Sequence, residues 1–138
     1  MKHLLKFLIL TIIYGLLYYC IEIVYRGHSH WSMFILSGIS CYMIGKVNEK
    51  MSWDISICIQ SIIGGLTITF GELIFGIIFN IILKMNIWDY GNMWMNFYGQ
   101  ICPLFSLIWC FLSVIIIFLD DWLRYIMFNE SRPKYKLL

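Results

Sequence analysis

The feature that most constrains this chain is a succession of long stretches without charge. Residues 7–21 carry no charged side chain, residues 101–119 carry none, and residues 55–83 carry only Glu72. A hydrocarbon core of about 30 Å takes about 20 apolar residues of α-helix to cross. Backbone N–H and C=O groups find no water there, so only helices or a closed barrel can span it. A barrel is written in short segments of alternating polarity, whereas these runs are continuous. An all-α, polytopic membrane protein is expected, with spans at about residues 4–25, 31–47, 55–83 and 101–119.

Composition sets the exclusions. Hydrophobic residues make up 61% of the 138 residues and charged residues 13%, against about 25% charged in a soluble domain. Mean hydropathy is +0.79. So few charges cannot coat a soluble enzyme, and a formal net charge of +2 offers no basic face to nucleic acid. The first run ends Tyr18-Tyr19-Cys20-Ile21-Glu22 without a small-residue cleavage site. It therefore reads as a retained helix rather than a secretory signal. No internal boundary is visible, so residues 1–138 read as a single membrane domain.

Lys2, Lys6, Lys46, Lys50, Arg124, Arg132, Lys134 and Lys136 fall on one side of four spans, and Arg26 and Lys84 on the other. Positive residues accumulate on the cytoplasmic side, which places both termini there. Trp31, Trp53, Trp88, Trp94 and Trp122 sit near span ends, where amphipathic rings meet headgroups. The third span would extend about 43 Å at 1.5 Å per residue, so a tilt or bend is expected, with Gly64-Gly65 as the candidate hinge. Residues 84–100 mix aromatics with Asn, Asp and Gly and suit an interfacial or re-entrant segment. Residues 120–138 read as a basic cytoplasmic tail anchored to anionic lipid.

Glu72 is the most informative residue. A charge at mid-membrane costs at least about 2.5–3.5 kcal/mol, so it should face the bundle interior. Ser61, Gly65, Thr69, Glu72, Gly76 and Asn80 recur at steps of three and four and form one small or polar helix stripe. Small residues let another helix approach, and polar ones hydrogen-bond across. Thr11, Gly15, Tyr18, Glu22 and Tyr25 form a similar stripe on the first span, expected to pack on the Glu72 stripe. The spacing of Glu22 and Arg26 favours a local ion pair.

The outer face gathers Glu22, Arg26, His28, His30, Asp89, Asn96 and Gln100. Asp89 fits a helix cap or a partner for Arg26. His28 and His30 could reach a metal with Glu22 or Asp89, but their spacing fixes no geometry, and polar turn residues are the simpler reading. Cys20, Cys41, Cys58, Cys102 and Cys110 are scattered singly, without a zinc pattern. They read as small packing residues, with Cys20 and Cys102 near enough to the outer face for a disulfide. No P-loop, H-E-x-x-H or G-x-S-x-G motif occurs.

Glu22-Ile-Val-Tyr-Arg26-Gly27, Gly71-Glu72, Gly76, Asn80, Trp88-Asp89-Tyr90, Asn96 and Gly99-Gln100-Ile-Cys102 together resemble the ABC-transporter type IV proteins, also labelled ABC transporter permeases. The resemblance covers about residues 14–117, and Trp-Asp-Tyr followed by Asn-x-x-Gly-Gln is its most specific part. It implies an integral, multi-helix bacterial membrane protein of transport type and brings no catalytic residues. Longer members carry additional helices.

The expected protein is a permease-like subunit in which Glu72 and the outer cluster line a site for a small solute or ion. The alternative is a non-transporting scaffold or regulatory subunit of an envelope complex. An intramembrane enzyme using Glu22, His28 and His30 is the weakest reading. No catalytic residue, metal or cofactor is expected. Expected partners are the lipid bilayer, a separate ATPase or other membrane subunit, and further copies of the chain.

Overall fold

The computed structural model describes residues 2–52, 54–131 and 133–136, without the side chain of Lys2. The expectations for Trp53 and Arg132 therefore lie outside the described residues. The elements are α1 (Lys2–Arg26), α2 (Trp31–Lys50), α3 (Ile57–Phe75), a π-helical continuation of α3 over Gly76–Ile82, and α4 (Pro103–Phe128). No strand occurs among the described residues; one isolated bridge joins Phe97 and Ile101. α1, α3 with its continuation, and α4 are each long and apolar enough to cross a membrane.

α2 is not among those three, and its position explains why. It contacts α1, α3 and α4. Its buried residues are mostly small: Ser32, Met33, Leu36, Ser37, Gly38, Ser40, Ile44 and Gly45. A helix enclosed by helices needs close approach rather than apolar bulk. Bulk is displayed instead on the outward faces of its neighbours, by Val24 of α1, Leu66 and Phe70 of α3, and Phe111 and Ile115 of α4.

Two helix pairs build the bundle, α1 on α2 and α3 on α4. A Cβ at Gly38 would sit 2.5 Å from the Thr11 carbonyl oxygen, so the α1 stripe is filled by α2. The α1 stripe therefore does not pack on the Glu72 stripe, as the sequence suggested. The Glu72 stripe meets α4 instead: a Cβ at Gly65 would lie 2.7 Å from the Cys110 backbone nitrogen, and Thr69 Oγ1 donates to Ser106 Oγ at 3.1 Å. Gly64-Gly65 is thus a contact point and not the hinge. The departure from regular helix comes at Gly76–Ile82, where hydrogen bonds such as Leu83 N to Ile78 O span five residues.

The end of the bundle carrying the chain termini holds a polar network. Asp120, Asp121 and Arg124 belong to α4, which runs on to Phe128, and not to a solvated tail. Their exposures are 0%, 8% and 2%. Arg124 pairs with Asp120 and Glu49, Lys6 with Glu49 and Glu130, and Tyr14 donates to Asp120. Gly45 leaves room for the Asp120 carboxylate, which would lie 2.1 Å from a Cβ there. The tail also folds back: Tyr135 packs edge-on against Phe118 at 4.4 Å, and the Lys136 carbonyl accepts from the Ile57 N–H at 2.9 Å.

Glu49 lies in the last turn of α2, beyond the apolar part of the sequence. Burial pushes its carboxyl up, but Arg124, Lys6 and Lys46 outweigh this and hold it below the ordinary carboxylate value. A depressed folded value means that the pairing stabilises fully above the unfolded value, about 4.3, and is lost as pH falls through the folded one. Thermal stability in detergent should therefore drop on acidification below about pH 4, and Glu49→Gln should flatten that limb of the pH profile. Gly65→Val should lower stability by about 1–3 kcal/mol by overpacking the α3–α4 contact. Leu66→Val on the exposed face should change the melting temperature little.

Candidate functional site

The centre of the candidate site is Glu72, 3% exposed on α3 where it faces α4. The Trp109 indole N–H donates to one carboxyl oxygen at 2.7 Å, and the Tyr90 hydroxyl donates to the other at 3.1 Å. No cationic side chain pairs with it among the described residues. Trp109 and Tyr90 flank Phe105, which stacks on Tyr90 at 4.5 Å and tilts against Trp109 at 6.1 Å. The three rings form one aromatic wall.

Two cavities adjoin this wall. The smaller, about 60 Å³, is lined by Tyr18, Ser37, Ser40, Cys41, Glu72 and Trp109 among others. The larger, about 440 Å³, is lined by Tyr18, Glu22, Tyr25, Arg26, Trp88, Asp89, Tyr90, Phe105 and Trp109 with apolar neighbours. Tyr18, Met33, Trp109 and Leu112 line both and act as the partition. The larger cavity lies between α1 and α4. These helices are tied by Tyr14 and Asp120 toward the terminal end and part beyond that tie. Exposed Ile21, Tyr25 and Met93 stand on its rim, so it opens sideways.

The segment between the π-helical turns and α4 closes the loop end of the bundle, and Asn80 holds it. Its amide donates to the Trp88 carbonyl at 2.9 Å and to Gln100 Oε1 at 2.8 Å, and its oxygen accepts from the Ile87 N–H at 2.7 Å. A Cβ at Gly76 would sit 2.5 Å from Gln100 Oε1, so only glycine lets Gln100 reach Asn80. Asp89 accepts from the Gly91 N–H at 2.7 Å, and Asn96 accepts from the Gly99 N–H at 2.9 Å. These side chains hold a run of turns rather than a helix.

The residues expected on the outer face divide into two groups. Glu22, Arg26, His28 and His30 surround a cavity of about 200 Å³. Within it Arg26 pairs with Glu22 at 2.8 Å, as the spacing suggested. His30 is the N-cap of α2, accepting from the Ser32 N–H at 3.2 Å, and His28 sits 3.1 Å from the Arg26 carbonyl. Asp89, Asn96 and Gln100 organise the loop, and Asp89 caps Gly91 rather than pairing with Arg26. No group of three or more His, Cys, Asp and Glu side chains is placed to hold a metal among the described residues. Cys20 is exposed and Cys102 buried, with no bridge between them.

Along the stripe, Ser61, Gly65, Glu72, Gly76 and Asn80 are buried and Thr69 half-buried. Sequence reasoning missed Trp109 and Tyr90 as the donors to Glu72, while Tyr18, expected near the Glu72 stripe, shares the smaller cavity with it. Trp109 carried a readable signal: an indole in the middle of an uncharged span, far from either headgroup layer, must find an acceptor for its N–H.

Asn80→Ala removes three hydrogen bonds and leaves buried partners unpaired. A loss of about 1–3 kcal/mol is expected, together with faster tryptic cleavage after Lys84, read by limited proteolysis in detergent. Asn96→Ala should speed cleavage less, because two of its three hydrogen bonds are exposed.

The model of the family described as Putative ABC-transporter type IV matches residues 5–136 of the chain. No curated protein and no solved structure matches it. The chain belongs to that family.

Proposed function

We propose that this ABC-transporter type IV family member is a permease-like subunit of a transport complex, with Glu72 at its solute site. The observation that carries the reading is a buried carboxyl without a cation, beside cavities that open between α1 and α4. A solute passing through the bundle would meet the larger cavity first and reach the carboxyl in the smaller one, beyond the partition. Glu72 of the stripe and Glu22, Arg26 and Asp89 of the outer cluster form the charged lining of that route.

In this reading all four helices cross a bacterial cell membrane and both termini are cytoplasmic, with residues 84–100 re-entering at the outer interface. The chain forms one membrane domain and acts without catalysis of its own. ATP-driven movement then requires a separate ATPase, since no P-loop is present in the sequence. More than one copy of the chain completes the path. A second reading, a non-transporting scaffold or regulatory subunit, draws on the two donors already bonded to Glu72, which suit a structural acid equally well.

Purification in mild detergent separates the two. The transport reading expects a P-loop protein to co-purify and Glu72→Gln to leave that complex intact while cutting its ligand-stimulated ATPase by tenfold or more. Structural envelope proteins in its place, with Glu72→Gln releasing monomers, would establish the scaffold reading.

A further inference from the structure

Glu72 is a carboxyl that faces aromatic rings and has no counter-charge among the described residues. Its nearest groups are the Trp109 and Tyr90 donors, and Phe105 completes the wall between them. Each carboxylate oxygen keeps lone-pair capacity after one hydrogen bond. Across the cavities from this wall stands Tyr18 of α1, which lines both. Ring faces attract cations, and the attraction grows when water is excluded. The other charged groups on the larger cavity point the same way: Glu22 and Asp89 against Arg26, whose guanidinium is already paired with Glu22 at 2.8 Å. Three carboxyls thus face the combined space against one neutralised cation. An anion would find no unpaired positive group there, and a small hydrated cation would find too little oxygen to replace its water.

The space also has a body-shaped part. At about 440 Å³ the larger cavity is in the range of small-molecule pockets. Its walls include Ile21, Met33, Met93, Phe105 and Leu112, and it opens sideways between α1 and α4. A ligand entering from that side arrives through the apolar medium around the helices, so it must itself be apolar over most of its surface.

We infer that the cavity takes a lipophilic organic cation, its apolar body between α1 and α4 and its charge among Tyr18, Tyr90 and Trp109 against Glu72. This names the ligand class of the solute site proposed above and rests on that reading.

The test uses the full-length protein in detergent and three probes of similar shape: tetraphenylphosphonium, the anion tetraphenylborate, and neutral triphenylphosphine oxide. Binding is read by equilibrium dialysis and by quenching of tryptophan fluorescence. Tetraphenylphosphonium should bind saturably, at least tenfold tighter than either other probe. Glu72→Gln should weaken it by tenfold or more, and Glu72→Asp by less. Leu112→Trp, which fills the partition and leaves the carboxyl in place, should block binding even if Glu72→Gln unfolds. Equal binding of the anion or the neutral probe, or cation binding that survives Glu72→Gln, overturns the ligand class and leaves the cavity as a site. Failure of all three probes to bind the folded protein overturns the cavity as a site for such ligands, while the transport reading is decided separately by co-purification and ATPase activity.

Discussion

A carboxyl group placed where hydrocarbon surrounds the helices has to be supplied with donors by its own chain, because neither water nor lipid tails can supply them. That requirement, applied to Glu72, sets the relation of three parts of the molecule. Trp109 must come from α4, so α4 lies along the small-residue stripe of α3, with Gly65 bringing the backbones close. Tyr90 must come from the segment after the π-helical turns, so that segment folds back over the loop end. It is held by Asn80, two steps further along the same stripe, and by Gln100. The seven residues Gly76–Ile82 depart from regular helix at the place where this segment is received, and π-helical turns recur where a helix is adapted to such local demands.

A second polar centre holds the other end. Arg124, Asp120, Glu49, Lys6 and Tyr14 connect α1, α2 and α4. Removing one partner of a buried ion pair costs about 3–5 kcal/mol, so this end is the stiffer clamp. Between the two centres α1 rests mainly on α2. The space between α1 and α4 is left open, and the larger cavity occupies it. The cavity is thus a consequence of pairing: two tight helix pairs, joined at one end, leave a cleft toward the other.

Much of this was legible in the sequence, and the limits have physical reasons. The apolar runs gave the helices because a bilayer demands a fixed length of apolar residues. Glu72 was found because a lone charge in such a run has to face inward, and the Glu22–Arg26 pair because it is local to one helix turn. The partner of the Glu72 stripe was misread as α1, since a stripe of small residues declares that something approaches but not which helix. Gly64-Gly65 was misread as a hinge for the same reason: glycine permits both a bend and a close contact, and only Cys110 against Gly65 decides between them. The ionic network at the terminal end was missed, and its α4 residues were read into a basic tail, because Lys6, Glu49 and Glu130 lie far apart along the chain. Asp89 was expected to cap a helix or pair with Arg26, and it instead accepts from the Gly91 N–H two residues on, within a run of turns.

The hydrogen bond between the Ile57 N–H and the Lys136 carbonyl has a bearing on biosynthesis. The first turn of α3 carries an orphan donor that its own residues cannot satisfy, and the acceptor is emitted from the ribosome almost eighty positions later. While the ribosome is still adding α4, that donor must be left to solvent, and Phe118 lacks the ring that covers it. The first turn of α3 is therefore completed only after residues almost eighty positions further along have been made. A bulky insertion placed directly after residue 136 would burden a seam that closes late in folding.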